Sequence, residues 1–235
     1  KLILHRLWEI NNIIKECISK YNFHLMFMTL LNFCTNDLSS FYFDIRKDTI
    51  YCDDINSIKR RSARTLLDII FNLLVKWLAP SLIFTCEEAW KARGNKNSIH
   101  LEEFVNIDDK FKNNLISKKW ENIKNIRKVI TSALEKKRAE KVIRSSLEAS
   151  IDIYLSPNIK SQLTNVDFAE ISITSTASIL DKNEDSQGHS IEEIENVIIN
   201  VKKSSGNKCN RCWKVLEEVK TKEEICARCE KVINK

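Results

Sequence analysis

The sequence predicts a mainly α protein: a helical bundle, then a small α/β unit, then a compact four-cysteine knuckle. Three observations predict it. Only three Gly and two Pro occur in 235 residues, too few punctuation points for an all-β chain built on tight turns. Apolar residues recur at three- and four-residue steps through most of residues 2–141 and then switch to alternation. The chain closes on two C-x-x-C pairs, Cys209/Cys212 and Cys226/Cys229, thirteen residues apart. With 43% hydrophobic and 30% charged residues, the composition is that of a folded protein with a core.

Taken in order, Leu4, Leu7, Trp8, Ile14, Ile18 and Tyr21 form the stripe of a first amphipathic helix over residues 2–21. Asn22 is placed to cap a second, whose stripe runs Phe27, Leu30, Leu31, Cys34, Leu38, Phe41, Tyr42. The polar stretch "RKDTIYCDDIN" separates it from a third helix that begins near Ser57 and stops near Ala79, because Pro80 disfavours helical geometry in the residue before it. Pro80 suits the first turn of a fourth helix, which Gly94 ends. Residues 95–110 read as irregular. A fifth helix covers roughly 113–141, with Trp120, Ile123, Val129, Ile130, Ala133 and Leu134 inside. Then "SIDIYL" alternates like a strand, Pro157 opens a short helix, and "EISITS" and "VIINVK" read as two more strands. An acidic loop is expected at 180–190 and a flexible hinge in "KKSSGNK". The expected domains are residues 1–144, 145–203 and 204–235.

The net charge of +6 is unevenly spread. Residues 118–144 hold ten Lys/Arg against three Glu, and residues 202–235 hold ten against five. Basic regions beside an acidic one point to a polyanionic partner, with solvated lysine-rich helix faces as the plain alternative. No segment approaches the roughly 18 uninterrupted apolar residues of a membrane helix. "KLILHRLWEI" lacks the design of a signal peptide and an initiator Met, so the chain reads as a piece of a longer protein. Cysteines without a secretory signal point to a reducing compartment, the cytoplasm.

Four thiolates are the soft, tetrahedral donor set that zinc favours, and a two-residue spacer lets one short turn present both sulfurs of a pair to one ion. The last thirty residues offer too few apolar side chains for an independent core. Structural zinc contributes about 10–16 kcal/mol to such a unit, which decides whether it folds. Zinc is therefore the leading reading, with iron, redox pairing or a disulfide clip as alternatives. Four sulfurs close the coordination shell and leave no position for a catalytic water. Cys17, Cys34, Cys52 and Cys86 lie singly and read as core filling or simple exposure. His5, His24, His100 and His189 form no pair at metal-ligand spacing, and no phosphate loop or nucleophile motif occurs. Glu87/Glu88 and Glu102/Glu103 read as solvated or capping carboxylates. Nothing in the sequence carries catalysis.

"NFCTNDLSSFYFDIRKDTIY", "RRSARTLLDIIFNLLVKWLAPSLIFTCEEAW", "KVIRSSLEASIDIY" and "KCNRCW…ICARCE" occur in that order. Together they resemble the C-terminal region of bacterial isoleucyl-tRNA synthetases, class I enzymes. The "FYFDIRKD" and "WLAPSLIFTCEEAW" elements are shared with the valyl and leucyl enzymes, whereas the terminal cysteine motif narrows the match. The resemblance spans essentially the whole chain. It implies a helical anticodon-binding domain and a zinc-binding tail near the tRNA, with isoleucine tRNA as partner. ATP-dependent aminoacylation would belong to N-terminal catalytic and editing domains, since this chain has neither the HIGH-type nor the KMSKS-type signature. A monomer is expected. One departure stands out: where many relatives have a Gly-containing "K-x-G-x-SLEA" stretch, this chain has Lys141, Val142, Ile143, Arg144, Ser145, so the turn before the first strand is expected to differ.

An anticodon binder needs cations for phosphates and planar groups for unstacked bases. The candidates are Lys59, Arg60, Arg61 and Arg64 on the third helix, Lys136, Lys137, Arg138, Lys141 and Arg144 at the end of the fifth, and Arg211 and Trp213 beside Cys212. Solvated surface, or for Trp213 a lid over the metal, is the plain alternative. Two rival functions remain at this point: a zinc-dependent protein-interaction module of a related valyl- or leucyl-type synthetase, and a free-standing metalloprotein.

Overall fold

A computed structural model describes residues 1–163, 165–183, 186–221 and 224–234. They divide into two compact units, one of residues 1–42 and 55–116, the other of residues 43–54 and 117–235.

The first unit is helical. α1 (Leu2–Ser19) buries Ile3, Leu7, Ile10, Ile14 and Cys17. The helical period is as expected, but of the expected stripe only Leu7 and Ile14 are buried. Leu4, Trp8 and Ile18 lie at its half-buried edges, and Tyr21, beyond the helix end, is 81% exposed. His5 is buried as well and is satisfied, its Nδ1 accepting from the Asn113 backbone N–H at 3.1 Å. Asn22 caps α2 (Phe23–Asn32) by accepting from the Leu25 N–H, as its residue type predicts. A π-helical stretch, Phe33–Phe43, follows. It corrects the expected stripe. Counting back in α-helical steps from Leu38 lands on Cys34, Leu31 and Phe27; the wider π turn shifts the phase by one residue. The buried side is accordingly Met26, Leu30, Phe33 and Leu38, while Phe27 and Leu31 are 38% and 56% exposed. With Phe23, Leu25 and Met28 they leave α2 with an outward apolar face.

Residues 46–52, expected as a polar break, are instead α3 (Asp44–Cys52); this helix belongs to the second unit. Ser57 caps α4 (Ile58–Leu78) through Arg60 N–H, and the helix ends at Ala79 as Pro80 dictates. Pro80 does not open the next helix: α5 (Ile83–Ala92) starts after the turn Pro80 occupies, and Gly94 closes it at φ +86°. Trp77 is fully buried, and Val75, Ala79, Cys86, Trp90 and Ile99 form a second cluster. Residues 95–110 are irregular apart from short 3₁₀ turns, Ile99–Leu101 and Asp109–Phe111. Each fully buried large side chain contributes about 1.5–3 kcal/mol.

The second unit is α/β. α6 (Asn114–Ala139) buries Ile123, Ile126, Val129, Ile130, Ala133 and Leu134. β1 (Ala149–Leu155) alternates as its sequence predicts, with Ala149, Ile151, Ile153 and Leu155 fully buried. Pro157 opens α7 (Pro157–Gln162). "EISITS" is not a strand. Asp167 caps a short helix, α8 (Phe168–Ser172), by accepting from Glu170 N–H at 3.0 Å, and the strand register begins only at β2 (Thr176–Asp181). β3 (His189–Ile191) and β4 (Ile194–Lys203) complete a sheet of order β2-β1-β4-β3, in which β1 runs parallel to β2 and antiparallel to β4. Of the expected acidic loop, residues 184 and 185 lie outside the described residues. The "KKSSGNK" stretch is no flexible hinge: Ser204 N–H donates to Glu148 C=O at 2.7 Å, and Asn207 Nδ2 donates to Val219 and Lys220 carbonyls. No helix among the described residues is long and apolar enough to cross a membrane.

Candidate metal centre and nucleic-acid interface

The knuckle is built on a two-strand ribbon, β5 (Asn207–Lys208) paired with β6 (Val215–Leu216). Gly206 sits where a Cβ would lie 2.1 Å from the Leu216 carbonyl oxygen, so the ribbon closes only around glycine. Cys209 N–H donates to Lys214 C=O and Trp213 N–H to Cys209 C=O, folding the first C-x-x-C into a tight turn. Cys226 begins α9 (Ala227–Ile233), and its N–H reaches the Cys209 Sγ at 3.3 Å.

All four cysteines are buried, and their sulfurs lie within 4.8 Å of one another. Cys212 and Cys226 Sγ are 3.7 Å apart. A tetrahedron with zinc–sulfur bonds of about 2.3 Å has sulfur–sulfur edges of about 3.8 Å, whereas a disulfide needs about 2.05 Å. The donor set therefore fits zinc and not a disulfide clip. Burial raises the thiols of Cys212, Cys226 and Cys229. Burial opposes ionisation of Cys209 too, but the backbone amides of Cys212, Cys226 and Arg211 outweigh it and pull that thiol down to about 6. One sulfur is thus primed as a thiolate, and a dication supplies the charge that ionises the others.

Two arginines fasten the knuckle to α3. Arg228 grips Asp48 with both Nη atoms, at 2.6 and 2.7 Å, and reaches Asp53 at 3.3 Å. Arg211 donates to the carbonyls of Cys52 and Tyr51, at 2.6 and 3.1 Å, the open end of a helix where a cation belongs. Cys52 packs against the four-cysteine cluster. Burial, then the charges of Asp48 and Cys229, push its thiol up to about 11, so it fills space rather than reacts.

The RNA candidates divide by their surroundings. Lys59, Arg61 and Arg64 are exposed and Arg60 half-buried, all on the first two turns of α4. Lys136 is exposed; Lys137 pairs with Glu140 just past the helix end, and Arg138 with Glu135 on the same helix. Lys141 and Arg144 are exposed and share one cleft. Lys141 takes a left-handed φ of 59° and closes α6, with Val142 N–H donating to Lys137 C=O. Trp213 is 58% exposed, at φ 66°, with Lys208 Nζ 5.0 Å from its ring centre. It is no lid. With Tyr51, Ile173, Arg211 and Lys214 it lines a hollow of 480 Å³. Sequence reasoning missed Asp48, Lys203 and Lys208; no local motif marks them, because their neighbours in space lie on other elements.

Comparison with known proteins places this geometry. Residues 1–153 match the model described as the anticodon-binding domain of tRNA ligase, and residues 206–232 match the zinc finger found in FPG and IleRS. Isoleucine–tRNA ligase of Pelagibacter ubique is 45% identical over 216 residues, covering 92% of this chain and 23% of the relative. The enzymes of Agrobacterium fabrum and Gluconobacter oxydans are 40% and 41% identical, covering 93% and 99% of this chain and 23% and 24% of theirs. The chain thus spans about a quarter of the length of these curated relatives. A valyl- or leucyl-type interaction module is not favoured. With the zinc finger at its end and the family match over most of its length, the chain belongs to the anticodon-binding domain family of tRNA ligases.

Proposed function

We propose that the chain is the tRNA-binding C-terminal region of an isoleucine–tRNA ligase. It docks the anticodon arm of isoleucine tRNA so that an ATP-using catalytic core, elsewhere in the polypeptide, attaches isoleucine. One observation carries this reading: an anticodon-binding match over residues 1–153 and an IleRS-type zinc finger over residues 206–232 stand in one chain. On this reading residues 1–144 bind the anticodon arm, residues 145–203 link, and residues 204–235 form the zinc tail.

The electrostatics of α4 support it. Its first turn holds no acidic residue but carries Lys59 and Arg60, with Arg61 and Arg64 next. Cations at a helix N-terminus oppose the dipole, each at about 0.3–1 kcal/mol, and a phosphate relieves them. In the tail, exposed Trp213 offers a stacking face, worth about 1–3 kcal/mol per base. Arg211, tied to α3, positions that turn more than it meets RNA. The outward apolar face of α2 supports a further partner, the polypeptide's own catalytic and editing domains, in a monomeric cytoplasmic enzyme.

Filter binding tests the reading. The chain is expected to prefer isoleucine tRNA over unrelated tRNAs, with affinity falling steeply as salt rises. Equal binding to all tRNAs, or none, overturns it.

A further inference from the structure

The second unit holds a polar cleft of 640 Å³ where the end of α6, the turn before β1 and the β4–β5 connection meet. Lys141, Arg144, Lys203 and Lys208 line it, with Glu148 as the opposing carboxylate. Glu148 is already engaged, accepting from the Arg144 backbone N–H at 3.0 Å. Among the described residues, none of these four cations has an ion-pair partner, in contrast to Lys137 and Arg138 one turn earlier.

Two further features point to a ligand. Ser204 lines the cleft, and its Oγ is buried without a hydrogen-bond partner among the described residues. Such an orphan costs about 1–3 kcal/mol unless something supplies the missing bond. Lys141 holds a left-handed backbone at φ 59°, where glycine would sit without the roughly 1 kcal/mol penalty. The turn thus presents a cation from a backbone position that glycine would hold at less cost. Gly206 also lines the cleft.

We propose that this cleft seats the phosphodiester backbone of RNA. Lys141, Arg144, Lys203 and Lys208 neutralise phosphates, and Ser204 Oγ donates a neutral hydrogen bond to one. Lys208 lies at once on the cleft and over the Trp213 ring, so a strand leaving the cleft meets a stacking surface. That continuity favours a nucleic acid over an acidic peptide. The inference deepens the tRNA reading and rests on it.

The test is the salt dependence of binding of a labelled isoleucine tRNA transcript by the zinc-loaded chain. Arg144→Ala and Lys203→Ala should each lower the slope of log affinity against log salt by about 0.7–0.9, and affinity at 0.1 M salt roughly five- to eightfold. Lys203→Arg should restore both, and Lys231→Ala, on exposed α9 surface, should change neither. Lys141→Gly separates fold from function: it should melt no lower than the unaltered chain yet lose one contact's worth of slope. If the unaltered chain binds and all cleft variants keep its slope, the cleft assignment falls and the tRNA reading stands. If the unaltered chain does not bind, both fall. Displacement by poly-glutamate as effective as by RNA at equal charge overturns the nucleic-acid assignment.

Discussion

Glu87 shows how much one side chain settles. Its carboxylate accepts from the Ile99 N–H and the Ser98 hydroxyl, each at 2.9 Å, so it organises the 3₁₀ turn beyond α5. The Ile99 amide is the main cause of a pKa below the ordinary 4.5. A depressed carboxylate stabilises the fold above that value, and the contribution vanishes as pH falls through the depressed one. Glu87→Gln should therefore melt below the unaltered protein at pH 7, with the difference closing below about pH 4.5. Paired melts from pH 3 to 7 check this; a constant difference contradicts it. The sequence reading allowed a capping role for Glu87 without naming its partner. Left-handed Lys141 and Trp213 were illegible, because neither residue type advertises a positive φ.

At the scale of elements, pattern reading succeeded where one face meets one core. α1, α4, α6 and β1 kept the periods their apolar residues set. It failed where local geometry broke the period. The π-helical stretch Phe33–Phe43 moved the stripe by one residue, and the Asp167 cap turned an apparent strand into a helix. α3 was hidden for another reason: its polar side chains look outward in sequence but hold the knuckle in space. The Arg228–Asp48 pair is the central fastening. Arg228→Ala should lower the stability of the knuckle by about 1–3 kcal/mol, because it removes the guanidinium that Asp48 and Asp53 share. In a double-mutant cycle with Asp48→Ala, the two losses should be clearly non-additive. Denaturant melts of the zinc-loaded chain read both; additive losses would show that the pair is incidental.

For the whole molecule, the metal centre divides stability unevenly. The core beneath the knuckle is largely the cysteines themselves, with Cys52, Val219, Leu216 and Ile225 around them. Chelation should remove one zinc per chain and expose the backbone amides of residues 206–232 to hydrogen exchange. The α1 and α4 amides, cored by Leu7, Ile10, Ile14 and Trp77, should keep their protection. Loss of protection everywhere would mean that the metal holds the entire chain. The ligands of this centre were legible because four sulfurs at fixed spacing admit little else, while the cleft lysines meet only through folding. Gly206 belongs with the ligands in one respect. It binds nothing, yet the Leu216 carbonyl leaves no room for any side chain. That position is as closed to substitution as Cys209, and Gly206→Ala should disrupt the ribbon that carries the metal site without touching a sulfur.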